Sequence, residues 1–370
     1  MRPTATYNEF LAARRFSALD GLRGISILLV FTAHPKYPDF WPLFHGQAGV
    51  TIFFVLSGFL ITTLLLREEQ KYGRIDLPGF FIRRLFRIYP VFIAVFLLYC
   101  VLILVLGMQA DRRSGFETNI PYFLLFFPEH SIFFNTSGIA VPFDGAWSIG
   151  IEEKFYLIWP IVGFVLLAGF RQARPYVLIA LAMLFGGLSL LPVWGPALAP
   201  YTHIIFGALV AVLLNSRRGY AVLSRTGRGP VLLTIALAAA GLQFGTPAVL
   251  GSLYIGYGAV IAALVAGLVT TRSSGTKILS GRFLTHTGTL SYVLYLIHNF
   301  GLNAAEMIIP AGWGLGGSLL ATVLGIGAAY LVAAVIHKYF EEPLRKVGVA
   351  LAGRRRNRTT VAGSDRQLVG

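Results

Sequence analysis

Apolar residues fall into ten runs of near-spanning length, around 22–34, 48–66, 88–107, 151–169, 176–192, 200–215, 230–246, 249–270, 288–309 and 316–338, with polar or basic stretches between them. A hydrocarbon core of about 30 Å takes roughly 20 helical residues. The pattern therefore predicts an all-α polytopic membrane protein with about ten transmembrane helices, the shorter runs extending into polar flanks or breaking. The first run is the one expected to break, because Pro35, Pro38 and Pro42 follow it closely and proline withdraws a backbone donor. The segment 35–47 is then expected to fold back into the outer part of the bundle. A further apolar stretch, Ile120–Phe134, contains Pro128, Glu129 and His130 and reads as a short re-entrant or lid segment.

Composition excludes a soluble enzyme. Hydrophobic residues make up 56% of the 370 and charged residues 13%, with a mean hydropathy of +0.70, against about 25% charged in a soluble domain. A single cysteine, Cys100, lies in an apolar run, which excludes an intramolecular disulfide, a CxxC motif and a cysteine zinc site. The formal net charge of +15 would suggest nucleic acid in a soluble chain, but here it sorts by topology. Ten helices put both termini on one side, and 27 of the 31 Lys and Arg fall there, leaving Lys36, Arg112, Arg113 and Lys154 opposite. The positive-inside rule then makes both termini cytoplasmic and removes the case for a nucleic-acid partner. Arg14 and Arg15 precede the first run with no small-residue cleavage site, so the first helix is expected to be an uncleaved anchor. Residues 1–346 read as one membrane domain. Residues 347–370, which end in GRRRNRTTVAGSDRQLVG from Gly353, read as a disordered basic cytoplasmic tail able to touch anionic lipid.

In a bilayer the informative residues are the polar ones at depth, since each costs several kcal/mol unless it is partnered. From Arg23 to His34 is eleven positions, which on a helix returns to within about 20° of the same face and climbs about 16 Å. A cation at the rim and an imidazole near mid-membrane would thus line one wall; the structural alternative is a snorkelling arginine and a hydrogen-bonded interfacial histidine. In FFIRRLFRIYP, Arg83, Arg84 and Arg87 sit at i, i+1 and i+4 with Arg83 and Arg87 on a shared face. Three guanidiniums among apolar spacers suit a phosphate-rich cofactor, although juxtamembrane arginines also arise as topology signals. The stretch AWSIGIEEKFYLIWP places Trp147, Ser148 and the paired Glu152 and Glu153 at the mouth of a helix; the carboxylates either answer the helix dipole or orient an imidazole. In GTLSYVLYLIHNF, Ser291, Tyr295 and His298 recur at i, i+4 and i+7, with Tyr292 beside them, a stripe that either lines substrate or bonds helices together. His203 and Gly58 are expected to serve packing. His45, His130, His286 and His337 fall at expected helix ends with no metal-ligand spacing, so no metal is expected.

Taken in order, RFSALDGLRGISILLVFTAH, FFVLSGFLIT, FIRRLFRIYP, WSIGIEEKFYLIWP, SYVLYLIH and YFEEPLRK resemble acyltransferase family 3, the integral-membrane O-acyltransferases, over about residues 16–346. The resemblance implies ten helices in a bacterial cytoplasmic (inner) membrane and transfer of an acyl group, often acetyl from acetyl-CoA, to a hydroxyl of a carbohydrate or small molecule. It implies His34 as the catalytic base, with Glu152 orienting its ring. Arg83, Arg84 and Arg87 match the basic motif and would bind the CoA phosphates, with Arg23 lining the route inward. Trp147, Ser148, Glu153, Ser291, Tyr292, Tyr295 and His298 become substrate-lining candidates, and Glu341 matches a recurring carboxylate with a structural role. Tyr201, Thr202 and His203 stand where many relatives carry arginines. The chain is expected to act as a stand-alone membrane enzyme on a lipid-linked glycan or exopolysaccharide precursor. The alternatives are a small-molecule, macrolide-type O-acyltransferase and a transporter or flippase without chemistry.

Overall fold

The computed structural model describes residues 4–33, 41–136, 138–191, 195–245, 254–272 and 276–367. His34, the expected base, lies outside the described residues, as do Pro35, Lys36 and Pro38. Among the described residues every regular element is helical, apart from one bridge between Thr4 and Thr271. The helices are α1 (Tyr7–Ala12), α2 (Ser17–Phe31), α3 (Ala48–Tyr72), α4 (Leu77–Cys100), α5 (Arg113–Leu124), α6 (His130–Phe133), α7 (Trp147–Pro160) and α8 (Arg174–Leu188). They continue as α9 (Gly195–Leu214), α10 (Arg217–Leu223), α11 (Gly229–Gln243), α12 (Tyr254–Thr270), α13 (Thr276–Leu279), α14 (Arg282–Ile308), α15 (Gly314–Ile336) and α16 (Glu342–Gln367).

Each of the ten apolar runs falls on one of these helices. Among the described residues four segments can cross a membrane by length and composition: Ala48–Tyr72, Leu77–Val105, Gly195–Leu214 and the continuous Gly314–Arg355. Local chemistry sets the ends. Thr6 and Glu9 form a reciprocal capping box on α1. Gly73, at φ 74°, closes α3 in the left-handed conformation that costs glycine least. Asp76 then accepts from the Gly79 N–H at 3.1 Å and starts α4. The first run ends early, at Phe31. The last helix departs from expectation in the other direction: α16 runs through the stretch that reads as a disordered tail. Pro343 lies inside this continuous helix just after the π-helical turn His337–Glu341, where the widened turn accommodates the missing N–H, and Gly348 lets α16 lie close on Phe86 of α4.

Glycine carbonyl contacts set the helix spacing at the core. A methyl at Gly58 would collide with the Ile204 carbonyl oxygen on α9, and one at Gly207 would collide with that of Val55 on α3. The same reciprocity joins Gly24 of α2 to Leu284, and Gly288 of α14 to Asp20. Small residues give this close approach where lipid supplies no hydrophobic drive between helices. Helix α7 is tied to α3 by the Trp159 indole N–H, which donates to Thr62 Oγ1 at 2.9 Å. The segment expected as a lid, Ile120–Phe134, spans the end of α5 and all of α6. It rests on α4 and α7: Phe126 stacks on Tyr89 at 3.9 Å, and buried Glu129 pairs with Lys154 at 2.5 Å.

A buried ion pair fixes α3 further. Both terminal nitrogens of Arg174 reach the Glu69 carboxylate at 2.7 Å, and its Nε donates to the Gly163 carbonyl at 2.6 Å. One guanidinium thus spans α3, α8 and the turn that follows α7. Two outcomes follow from this packing. Gly58→Ala should lower the melting temperature in detergent, as overpacking costs typically about 1–3 kcal/mol, while Gly241→Ala, with open space beside it, should not. Arg174→Gln should destabilise more strongly, because breaking a buried pair costs up to about 3–5 kcal/mol and only the more exposed Arg171, 3.3 Å from Glu69, is left to offset that carboxylate; a melting temperature equal to the parent's would show that Arg171 alone suffices.

Candidate active site

Five helices, α2, α3, α4, α7 and α14, enclose a cavity of about 90 Å³. Helical spacing explains what faces it. On α7, Ser148, Glu152 and Tyr156 recur every four residues and form one stripe. On α4 the pair is Arg84 and Arg87, three apart, with Ile88 beside them, and on α14 it is Ser291, Tyr292 and Tyr295. Helix α2 contributes Arg23, and α3 contributes Ser57 between Phe53 and Leu60.

Three guanidiniums, those of Arg23, Arg84 and Arg87, therefore face one small space. Among the described residues none has a carboxylate within ion-pair distance, whereas Arg83, Arg171 and Arg174 all do. Arg84 lies 5.2 Å from the centre of the Tyr156 ring and 5.7 Å from that of Phe80, so aromatic faces take up part of its charge. The Tyr156 hydroxyl donates to Glu152 Oε2 at 2.7 Å and sits 2.8 Å from Ser57 Oγ. This triple fixes the carboxylate. Ser148 Oγ donates to the Tyr295 hydroxyl at 2.7 Å, and the Tyr292 hydroxyl donates to the Ile88 carbonyl at 2.6 Å. Ser291 Oγ, on a residue 1% exposed, has no hydrogen-bond partner. A buried hydroxyl on the cavity wall with no internal partner is one that a ligand can satisfy.

Of the residues singled out in the sequence, Arg23, Arg84, Arg87, Ser148, Glu152, Ser291, Tyr292 and Tyr295 come together at the cavity. Others stand apart from its wall. Arg83 turns to buried Glu68 on α3, 3.3 Å away. Trp147 wedges edge-on between Phe54 and Phe133. Glu153 keeps a buried oxygen without a hydrogen-bond partner. His298 is buried behind the wall, its Nδ1 2.6 Å from the Tyr295 carbonyl. Glu341 binds His337 Nδ1 at 2.7 Å within the π-helical turn between α15 and α16, an i,i+4 contact inside one helix and away from the cavity. Tyr156 and Ser57 are the polar lining residues that the sequence analysis did not single out. Tyr156 carried a signal, being four residues after Glu152 on the same helix face; Ser57, a lone serine in an apolar run, carried none.

The family described as Acyltransferase domain matches residues 16–338. The chain is 27% identical over 383 aligned residues to peptidoglycan O-acetyltransferase OatA of Listeria monocytogenes, and 28% identical over 382 to putative peptidoglycan O-acetyltransferase YrhL of Bacillus subtilis. Each alignment covers 94% of this chain but 58% of the relative, so the chain spans a little over half the length of these two proteins. A putative O-acetyltransferase of Staphylococcus aureus, SACOL0978, is 29% identical over 194 residues, covering 52% of this chain and 31% of its own. No solved structure gives a significant match. The family match takes in all five helices that build the cavity and every side chain on its wall, and on that ground the chain belongs to acyltransferase family 3.

Proposed function

We propose that the chain is a membrane-embedded O-acyltransferase that moves an acyl group, acetyl in the first instance, from acyl-CoA to a hydroxyl of a carbohydrate such as a lipid-linked glycan or exopolysaccharide precursor. The observation that carries this reading is the set of three guanidiniums at Arg23, Arg84 and Arg87, which share a cavity with the single carboxylate of Glu152 and make no ion pair among the described residues. Such a set calls for an anion, and fork-shaped donors match phosphate oxygens. The free volume holds a few water molecules, which suits a short acyl group; a sugar ring would have to approach from the edge. The names of the relatives from Listeria and Bacillus, peptidoglycan O-acetyltransferases, support a glycan hydroxyl as acceptor.

The reaction in this reading is a direct transfer. His34, three residues beyond the end of α2 in sequence, takes the acceptor hydroxyl proton as the oxygen attacks the thioester carbonyl carbon. A C–O bond forms, the C–S bond breaks, CoA leaves as thiolate, and the proton on the imidazole passes to the thiolate or to water. Arg84 and Arg87 hold the CoA phosphates, and Arg23 lines the route inward. Glu152, held by Tyr156 and Ser57, orients the imidazole and balances its positive charge. In this reading ten helices cross the bacterial inner membrane with both termini cytoplasmic, supported by the four long apolar helices among the described residues and the basic asymmetry of the loops.

Turnover of acetyl-CoA by purified protein in liposomes separates an enzyme from a transporter. His34→Gln should lower transfer by roughly 10²–10⁴-fold, the usual contribution of a positioned base, while the protein stays monodisperse and binds acyl-CoA. His298→Gln should be far milder. In calorimetry Arg84→Lys and Arg87→Lys should weaken acyl-CoA binding, and Arg83→Lys, whose side chain faces Glu68, should spare it. Normal turnover by well-folded His34→Gln protein contradicts the mechanism.

A further inference from the structure

A second concavity lies outside the cavity, as an open groove on the bundle surface where the chain enters α2 and where α14 meets α15. Arg15, Arg282, Thr285, Thr289 and Tyr330 line it. We propose that this groove binds the headgroup of an anionic glycerophospholipid. The proposal is independent of acyl transfer, since none of these residues lines the cavity.

The groove combines two chemistries in a fixed order. At its end stand two cations. Arg282 has no ion-pair partner among the described residues, and Arg15, whose side chain is 67% exposed, meets Asp20 through its Nε alone, at 2.7 Å. Their remaining N–H groups suit a phosphodiester. The hydroxyls of Thr285 and Thr289 donate to carbonyls of their own helix at 3.0 and 2.9 Å, so their oxygens face outward as acceptors for headgroup hydroxyls.

Below the cations the wall turns apolar. Phe283, 61% exposed, lies flat along Tyr330 with ring centres 6.3 Å apart and planes 13° apart. The Tyr330 hydroxyl is hydrogen-bonded to His286 Nδ1, which keeps the ring in place. Along α15 the same face continues through Ile326 to Val323, at spacings of four and three, and Val323 is 65% exposed. Cations at the helix end followed by an apolar strip down the helix match a phosphate with an acyl chain attached. A free phosphate would have no use for the strip, and basic pockets between membrane helices fit anionic headgroups.

Native mass spectrometry of the purified full chain, offered equal amounts of phosphatidylglycerol and phosphatidylcholine, tests this directly. Phosphatidylglycerol should be retained preferentially. Arg282→Gln and Arg15→Gln should each lower its occupancy roughly fivefold, the weight of one cation near an anionic lipid, and Arg225→Gln, an exposed arginine elsewhere, should not. Arg15 precedes α2, so its substitution leaves every helix intact should Arg282→Gln fold poorly. An excess of inorganic phosphate should leave the lipid bound. Equal retention of both lipids, unchanged occupancy in both variants, or displacement by phosphate alone would each overturn the proposal. So would a variant that shifts the oligomeric state while leaving lipid retention as it was, which would mark the face as a contact between copies.

Discussion

A charge inside an apolar bundle is costly unless something nearby offsets it, and this chain shows both ways of meeting that cost. Arg174 meets Glu69, Lys154 meets Glu129 and Arg83 meets Glu68, each pair bringing two helices or a helix and a loop together. Arg23, Arg84 and Arg87 are different. They converge on one space, and the carboxylate that shares it, Glu152, is engaged by the Tyr156 hydroxyl. Three guanidiniums beside one carboxylate leave the cavity with an excess of positive charge, which suits a further anion.

Everything that holds these groups in place depends on close helix contact. Helix α3 turns Ser57 toward the cavity and, one residue on, Gly58 against the Ile204 carbonyl of α9. The same helix receives Trp159 at Thr62 and Arg174 at Glu69. Helix α2, which brings Arg23, is pressed to α14 through Gly24 and Gly288, and α14 brings Ser291, Tyr292 and Tyr295. The glycines bear on the chemistry only through this spacing: a carbon added at either contact would separate walls that must stay within hydrogen-bond reach of one ligand.

The ten long helices were legible because each carries an apolar run, and the α7 stripe was legible because Ser148 and Glu152 repeat at the helical period. What periodicity could not supply was the neighbour on another helix. Arg83 and Arg87 share a face at i and i+4, so spacing alone grouped them; the structure sends Arg83 to Glu68, fifteen residues back across the α3–α4 turn, and pairs Arg84 with Arg87 instead. Trp147 reads as a binding residue by type, yet its ring fills the gap between Phe54 and Phe133. The tail after residue 347 looked unstructured from composition, because nothing local shows that Gly348 meets Phe86 on α4. Tyr156 was within reach of the same reasoning that found Glu152, and Ser57 was not, since its partner lies 99 residues away in the chain.

The central claim is that this cavity is where a thioester meets a hydroxyl, with Glu152 serving the reaction beyond its part in the fold. The most direct measurement is release of free CoA from acetyl-CoA by reconstituted protein in the presence of a glycan acceptor, comparing the parent with Glu152→Gln. The substituted side chain keeps its size and can still accept from Tyr156, so folding and acetyl-CoA binding should persist while CoA release falls by at least about a hundredfold. Release at the parent's rate from well-folded Glu152→Gln protein, or no release from the parent itself, would contradict the account.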